Sequence, residues 1–181
     1  MKKLGEKVLF QGNWLTVKEM EFLHKNQSAT WECIVRKNTS KIVVVLALAK
    51  PSNRYVLIKQ FRPAINNYVI GFPAGLAETD DIEKEALKEL KEETGFSGKI
   101  TKMSPKLAFN PALSDEIVYI VEALIDERNP GNLNPKQQLE HTEEIEVVLV
   151  DKKNVKNFLQ SEQQKGADIS VGLWYLFGFN L

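Results

Sequence analysis

Strand-like apolar stretches dominate the first third of the chain. Lys7–Phe10, Trp14–Leu23 and Thr30–Arg36 read as strands, the last two joined by a polar turn at Lys25-Asn26-Gln27-Ser28. Lys37-Asn38-Thr39-Ser40 breaks the pattern. Ile42–Ala49 is an unbroken apolar run, as expected of a buried strand, and Tyr55–Phe61 reads as its neighbour. Tyr68–Gly71 is a short strand running into a loop, and Ile100–Ala108 and Ile117–Leu124 are further strands. Asp126–Gln138 is a polar loop, Glu144–Val150 the last strand, and Asn154–Gln160 and Ile169–Phe177 read as helices. This mixed order predicts an α+β sandwich with a mixed sheet between helices, preceded by a β arm. The expected division is an arm over residues 1–39 and a larger domain over residues 40–181.

The polar pattern is most informative at residues 80–96. At about 100° per residue, Glu85, Glu89, Glu92 and Glu93 fall within an arc of roughly 80–100° on one helix. Lys84, Lys88 and Lys91 point elsewhere, and Ala86, Leu87 and Leu90 form the core-facing stripe. Like charges at this spacing cost an isolated helix about 0.2–0.5 kcal/mol per pair. A surface helix built only for stability would interleave the lysines, whereas a hard divalent cation requires converging carboxylates. A solvated acidic face is the alternative that composition alone allows. Asp80 with Glu83 predicts a capping box at the helix start, and Gly95 predicts its stop. Just upstream, Gly71-Phe72-Pro73-Ala74-Gly75-Leu76 reads as a turn whose backbone carbonyls lie near the carboxylate face.

Here the chain resembles the Nudix hydrolases. Gly75 opens their signature and Glu89-Leu90-Lys91-Glu92-Glu93-Thr94-Gly95-Phe96 closes it. There are two departures. Lys88 stands where the signature has arginine, and a lysine cannot make the bidentate fork of a guanidinium. The stretch from Gly75 to Lys88 is also one residue short, so Asp80 or Asp81 is the nearest equivalent of the early glutamate. Trp31-Glu32, Lys59-Gln60-Phe61-Arg62-Pro63 and Phe72–Leu76 look like the ADP-ribose/ADP-sugar pyrophosphatase branch, as does Pro111, which lies fifteen residues after Phe96. Glu143-Glu144-Ile145-Glu146-Val147 resembles the acidic loop and strand that supply a late catalytic glutamate.

The resemblance implies an α/β/α Nudix sandwich and Mg²⁺-dependent hydrolysis of a nucleoside diphosphate sugar, with Mn²⁺ as a possible substitute. It implies metal ligands at the Ala74 carbonyl, Glu89 and Glu93, with Glu92 in support and Glu85 peripheral, and Glu143 as general base with Glu140 as its substitute. Arg62 would hold a phosphate. Trp14, Trp31, Glu32, Arg36, Leu76, Pro111 and Glu116 would face the rest of the substrate. For Trp14 and Trp31, packing within the strand core is the alternative role. The branch implies a homodimer, with the N-terminal arms exchanged between subunits. Two other readings stay open: a hydrolase of GDP-mannose type, and a non-catalytic module that binds nucleotide sugars.

Composition narrows the partners. Twenty-four Lys and Arg balance twenty-four Asp and Glu, and no basic stripe or tail predicts a nucleic-acid partner. The longest apolar run, Ile42–Ala49, is far short of the ~18–20 residues of a membrane span. Met1-Lys2-Lys3 leads into no apolar signal region. The single cysteine, Cys33, excludes an internal disulfide and fits a reducing, cytoplasmic setting. His24 and His141 have no partner at metal-ligand spacing and read as surface residues.

Overall fold

The computed structural model describes residues 1–179. Strands β1 (Lys2–Gln11), β2 (Leu15–His24) and β3 (Gln27–Arg36) form an antiparallel sheet in that order. The first strand runs well beyond the expected Lys7–Phe10. Its charged early residues gain strand geometry from pairing with β2, which apolar patterning does not register. The β2–β3 turn is only Lys25-Asn26, both at positive φ (49° and 62°), as a two-residue hairpin demands. Gln27 and Ser28, expected in the turn, are already paired in the ladder.

Residues 37–40 lead into the larger sheet. Its strands are β4 (Lys41–Lys50), β5 (Arg54–Arg62), β6 (Asn67–Gly71), β7 (Ala74–Leu76), β8 (Lys99–Met103), β9 (Leu107–Ala108), β10 (Ile117–Asp126), β11 (Ile145–Asp151) and β12 (Asp168–Ile169). Helix α1 (Ile82–Thr94) lies between β7 and β8, and α2 (Val155–Gln164) between β11 and β12. The order is β12-β6-β5-β4-β10-β8, with β11 on β5, β7 on β4 and β9 on β10. β4 runs parallel to β10 and β6 to β12, while the other pairs are antiparallel, so the sheet is mixed as expected.

Alternation along β4 builds the two layers. Val43, Val45, Ala47 and Ala49 are fully buried with Ile82, Ala86 and Leu90 of α1. Val44 and Leu46 pack on the opposite face, against the cluster of Val155 and Leu159 of α2. The architecture is therefore an α/β/α sandwich with an N-terminal antiparallel arm.

Four local expectations need correction. The N-cap of α1 is Asp81, whose carboxylate accepts the Lys84 N–H at 3.1 Å, so the Asp80–Glu83 box does not form. Asp80 instead pairs with Lys41. The segment 74–76, read as a turn, is a strand on β4. Ile100–Ala108 is two strands because Pro105 lacks the N–H that a ladder needs. The helix expected over Ile169–Phe177 starts only at Val171, after β12, and runs as a short helical segment through Gly178. An apolar run of that length fits either element. Gly95 ends α1 as expected, at φ +76° with its N–H on the Lys91 carbonyl.

Candidate active site

The site begins where β7 hands the chain to α1. Glu93 is buried, and its carboxylate accepts the Ala74 N–H at 2.8 Å. Glu89, one turn earlier, lies on Gly75 so closely that a Cβ built there would fall on its carboxylate. Glycine at position 75 thus lets backbone and carboxylate approach. Glu92 is half-buried on the same side of the helix.

Glu85, expected at the periphery, is buried and holds the loop. It accepts the Thr79 hydroxyl at 2.7 Å and the Glu78 N–H at 3.3 Å. The Thr79 hydrogen bond keeps its carboxyl below the ordinary range despite burial. The shortened loop is fastened elsewhere too, with Lys88 facing Glu78 at 3.7 Å and Lys41 holding Asp80. The stand-in for the signature arginine therefore points at loop residue Glu78, and Asp80 is drawn towards β4.

Burial pushes the Glu89 carboxyl from 4.5 up to about 7, and the charges of Glu92 and Glu143 add to the rise. Burial likewise pushes Glu93 up to about 8; the charges of Glu89 and Glu143 add, while the Ala74 N–H and Arg62 oppose. The Glu143 charge thus reaches both helix glutamates from a loop about 50 residues later in the chain. Within that loop Glu143 accepts the Glu140 N–H at 3.0 Å. Arg62 ends β5, exposed, with its charge felt at Glu93.

Among the described residues, no three His, Cys, Asp or Glu side chains are gathered tightly enough to hold a metal ion by themselves. The donor set still fits magnesium, which takes one or two protein carboxylates and completes its shell with waters and substrate phosphate oxygens. Two carboxylates held near neutral protonation by burial and mutual repulsion are the groups a divalent cation would relieve. Gln60 Oε1 adds a buried acceptor without a partner. Val56 faces the α1 core, so alternation puts Gln60 and Arg62 on that same side of β5. A hydrated cation brings donors that such an acceptor can use.

A second cluster lies between the arm and the sheet. Arg36 Nε meets Glu116 Oε1 at 2.6 Å, and Ser114 Oγ meets the other carboxylate oxygen at 3.2 Å. These residues line a cavity of about 290 Å³ with Leu15, Ile34, Phe109 and Leu113. Trp31 Nε1 donates to the Ala112 carbonyl at 2.9 Å, in the turn that holds Pro111. Trp14 and Trp31 are 76% and 55% exposed, so neither is strand core. Glu32 stays exposed opposite Glu19 on β2. The start of β4 separates β7 from β10, with Val43 paired to Gly75 on one side and Tyr119 on the other. Gly75 and Tyr119 are therefore two strand spacings apart, about 10 Å. Leu76 pairs with Ile42 beside them.

Sequence reasoning singled out neither Gln60, Thr79, Tyr68 nor Gln137. Gln60 lay inside the quoted Lys59–Pro63 motif, but nothing there marks it as buried. Thr79 is marked only by its bond to Glu85, and Tyr68 and Gln137 depend on contacts across the fold.

The NUDIX domain family matches residues 39–167. The chain belongs to this family. This Nudix hydrolase is 30% identical to the ADP-sugar pyrophosphatase of Mus musculus, over 98% of the chain and 85% of that protein. It is 29% identical to an ADP-ribose pyrophosphatase of Bacillus subtilis, over 97% and 95% of the two chains. The ADP-ribose pyrophosphatase of Saccharomyces cerevisiae is 34% identical over 76% of this chain and 64% of that one. A crystal structure of an ADP compounds hydrolase superposes with a TM-score of 0.71 over 88% of this chain and 84% of that chain, at 20% identity, and so supports the fold.

The contact at Gly75 yields a prediction. Gly75→Ala is expected to lower kcat by about 10²-fold, the usual penalty for a ligand displaced by ~1 Å. The melting temperature should change little, because the atom that must move is the flexible end of Glu89. Steady-state kinetics and thermal denaturation on the same preparation check both halves.

Proposed function

We propose that this Nudix hydrolase cleaves the pyrophosphate link of ADP-ribose, or a related nucleoside diphosphate sugar, to a nucleoside monophosphate and a sugar phosphate. The observation that carries this reading is the pair of half-buried Glu89 and buried Glu93, pressed on Gly75 and Ala74, with the Glu143 charge reaching both. Glu89, Glu93 and the Ala74 carbonyl would hold Mg²⁺, or Mn²⁺ in its place, with Glu92 assisting. Such a cation neutralises charge on the phosphate oxygens.

The remaining work falls to the chain's own groups. Glu143 takes the proton of the attacking water, a task a metal-bound carboxylate does poorly. Arg62 anchors a phosphate with its guanidinium fork. Trp31, Trp14 and the Arg36–Glu116 pair lie where the arm meets the sheet and receive the nucleoside, with Pro111, Leu76 and Glu32 shaping the approach. The exposed apolar residues Val8, Leu9 and Phe10 on β1 support a homodimer built through the arms, exchanged between subunits. The free Cys33 supports a cytoplasmic setting. No helix among the described residues is long and apolar enough to cross a membrane.

The test is turnover of a nucleotide-sugar panel with product identification. ADP-ribose is expected to give AMP and ribose phosphate, with kcat/KM at least about tenfold above GDP-mannose. A preference for GDP-mannose would overturn the base assignment, and no turnover of any member would overturn the enzymatic reading.

A further inference from the structure

Glu143 approaches α1 on a loop, residues 138–144, and one side chain ties both ends of that loop to one point. The last carbonyls of a helix lack intrahelical donors and need partners. Gln138 N–H donates to the Glu92 carbonyl at 2.8 Å. The side-chain amide of Gln137 donates to the Glu93 carbonyl at 2.6 Å and to the Ile145 carbonyl at 3.1 Å. Gln137 therefore joins the backbone of Glu93 to the first residue of β11, just past Glu143. Two donors on one NH₂ group satisfy both acceptors.

Neighbouring contacts place the loop close to the helix end. The backbone of Pro135 and Lys136 lies on Gly95, where a Cβ would strike it. Phe61 N–H reaches the Glu144 carbonyl at 3.3 Å, and the Tyr68 hydroxyl bonds the Glu144 carboxylate. Between these ties, Glu143 bonds within its own loop, its N–H on the Glu140 carbonyl and its carboxylate on the Glu140 N–H, both at 3.0 Å.

We propose that Gln137 is a positioning residue that sets where the Glu143 carboxylate stands relative to Glu89 and Glu93. The inference rests on the proposed role of Glu143 as base. Gln137 is itself exposed but its two acceptors belong to the buried residues Glu93 and Ile145, so losing its amide is expected to lower the melting temperature by a few degrees without unfolding the chain.

The test uses Gln137→Met, which keeps side-chain length and removes both N–H donors. The expected result is a kcat lowered roughly 10–100-fold, with KM within about twofold of wild type. The melting temperature should fall by no more than a few degrees, and amide exchange across residues 138–144 should quicken. In a Glu143→Gln background, adding Gln137→Met should lower kcat no further, because both changes remove the same contribution. Wild-type kcat in Gln137→Met, or an undiminished loss in the Glu143→Gln background, would overturn the proposal. Wild-type turnover by Glu143→Gln alone would instead sink the base assignment and the catalytic half of this one. The clamp would then stand on quickened exchange and fall if exchange is unchanged.

Discussion

Replacing Glu93 with glutamine is expected to lower kcat on ADP-ribose by roughly 10³-fold, the kinetic equivalent of about 4 kcal/mol of lost transition-state stabilisation. The same change should make the metal-free protein more stable at pH 8. Glutamine keeps an oxygen to accept the Ala74 N–H, so the fold around β7 is retained. What it removes is a buried charge. The Glu93 carboxyl has an ordinary value of 4.5 and is pushed by burial to about 8 in the folded chain. Below pH 4.5 both folded and unfolded chains carry the proton, and the group costs nothing. Between 4.5 and 8 the unfolded chain releases the proton while the folded chain keeps it, so stability falls as pH rises. The folded group ionises only above this window, in a site that resists the charge. Glu93→Gln should therefore melt several degrees above wild type at pH 8 without metal, at about 2–4 °C for each kcal/mol. The two should melt together near pH 4.5, and Mg²⁺ should narrow the gap at pH 8 by stabilising wild type more than the variant. Thermal denaturation at the two pH values, with and without Mg²⁺, checks this.

The second large effect is expected at Glu143. Glu143→Gln should lower kcat by about 10²–10⁴-fold, the usual contribution of a general base. Its oxygen can still accept the Glu140 N–H, so loop structure and melting temperature should hold. Glu140→Gln is the control and should keep kcat within about threefold of wild type. Pre-steady-state and steady-state rates on both variants separate the roles. A loss confined to Glu140→Gln would move the base to that residue.

The acidic helix α1 was legible because its pattern lies within one element. Four glutamates at helical spacing and Gly95 at the end can be read without knowing what surrounds them, whereas the cap was placed one residue early, at Asp80 instead of Asp81. The buried run of β4 was legible for the same reason. What escaped was set by partners outside the element itself. The early half of β1 is a strand only because β2 pairs with it. β7 looked like a turn because its three residues become a strand only against Ile42–Val44. Glu85 seemed one more surface acid until Thr79 and Glu78 folded over it. Gln137 sits in a polar loop with nothing to mark it, since both its acceptors are backbone carbonyls supplied by the fold. The acidic loop was expected to bring Glu143, whose charge adds to the rise at Glu89 and Glu93.

The expectation is that hydrolysis requires a divalent cation held by Glu89 and Glu93. Its most direct test is ADP-ribose turnover by wild type and Glu93→Gln, measured across a magnesium titration from a chelated, metal-free start. Wild type should show no turnover without metal and a saturable rise with magnesium, and Glu93→Gln a curve displaced to higher magnesium with a far lower plateau. Metal-independent turnover by wild type, or superimposable curves for the two proteins, would contradict it.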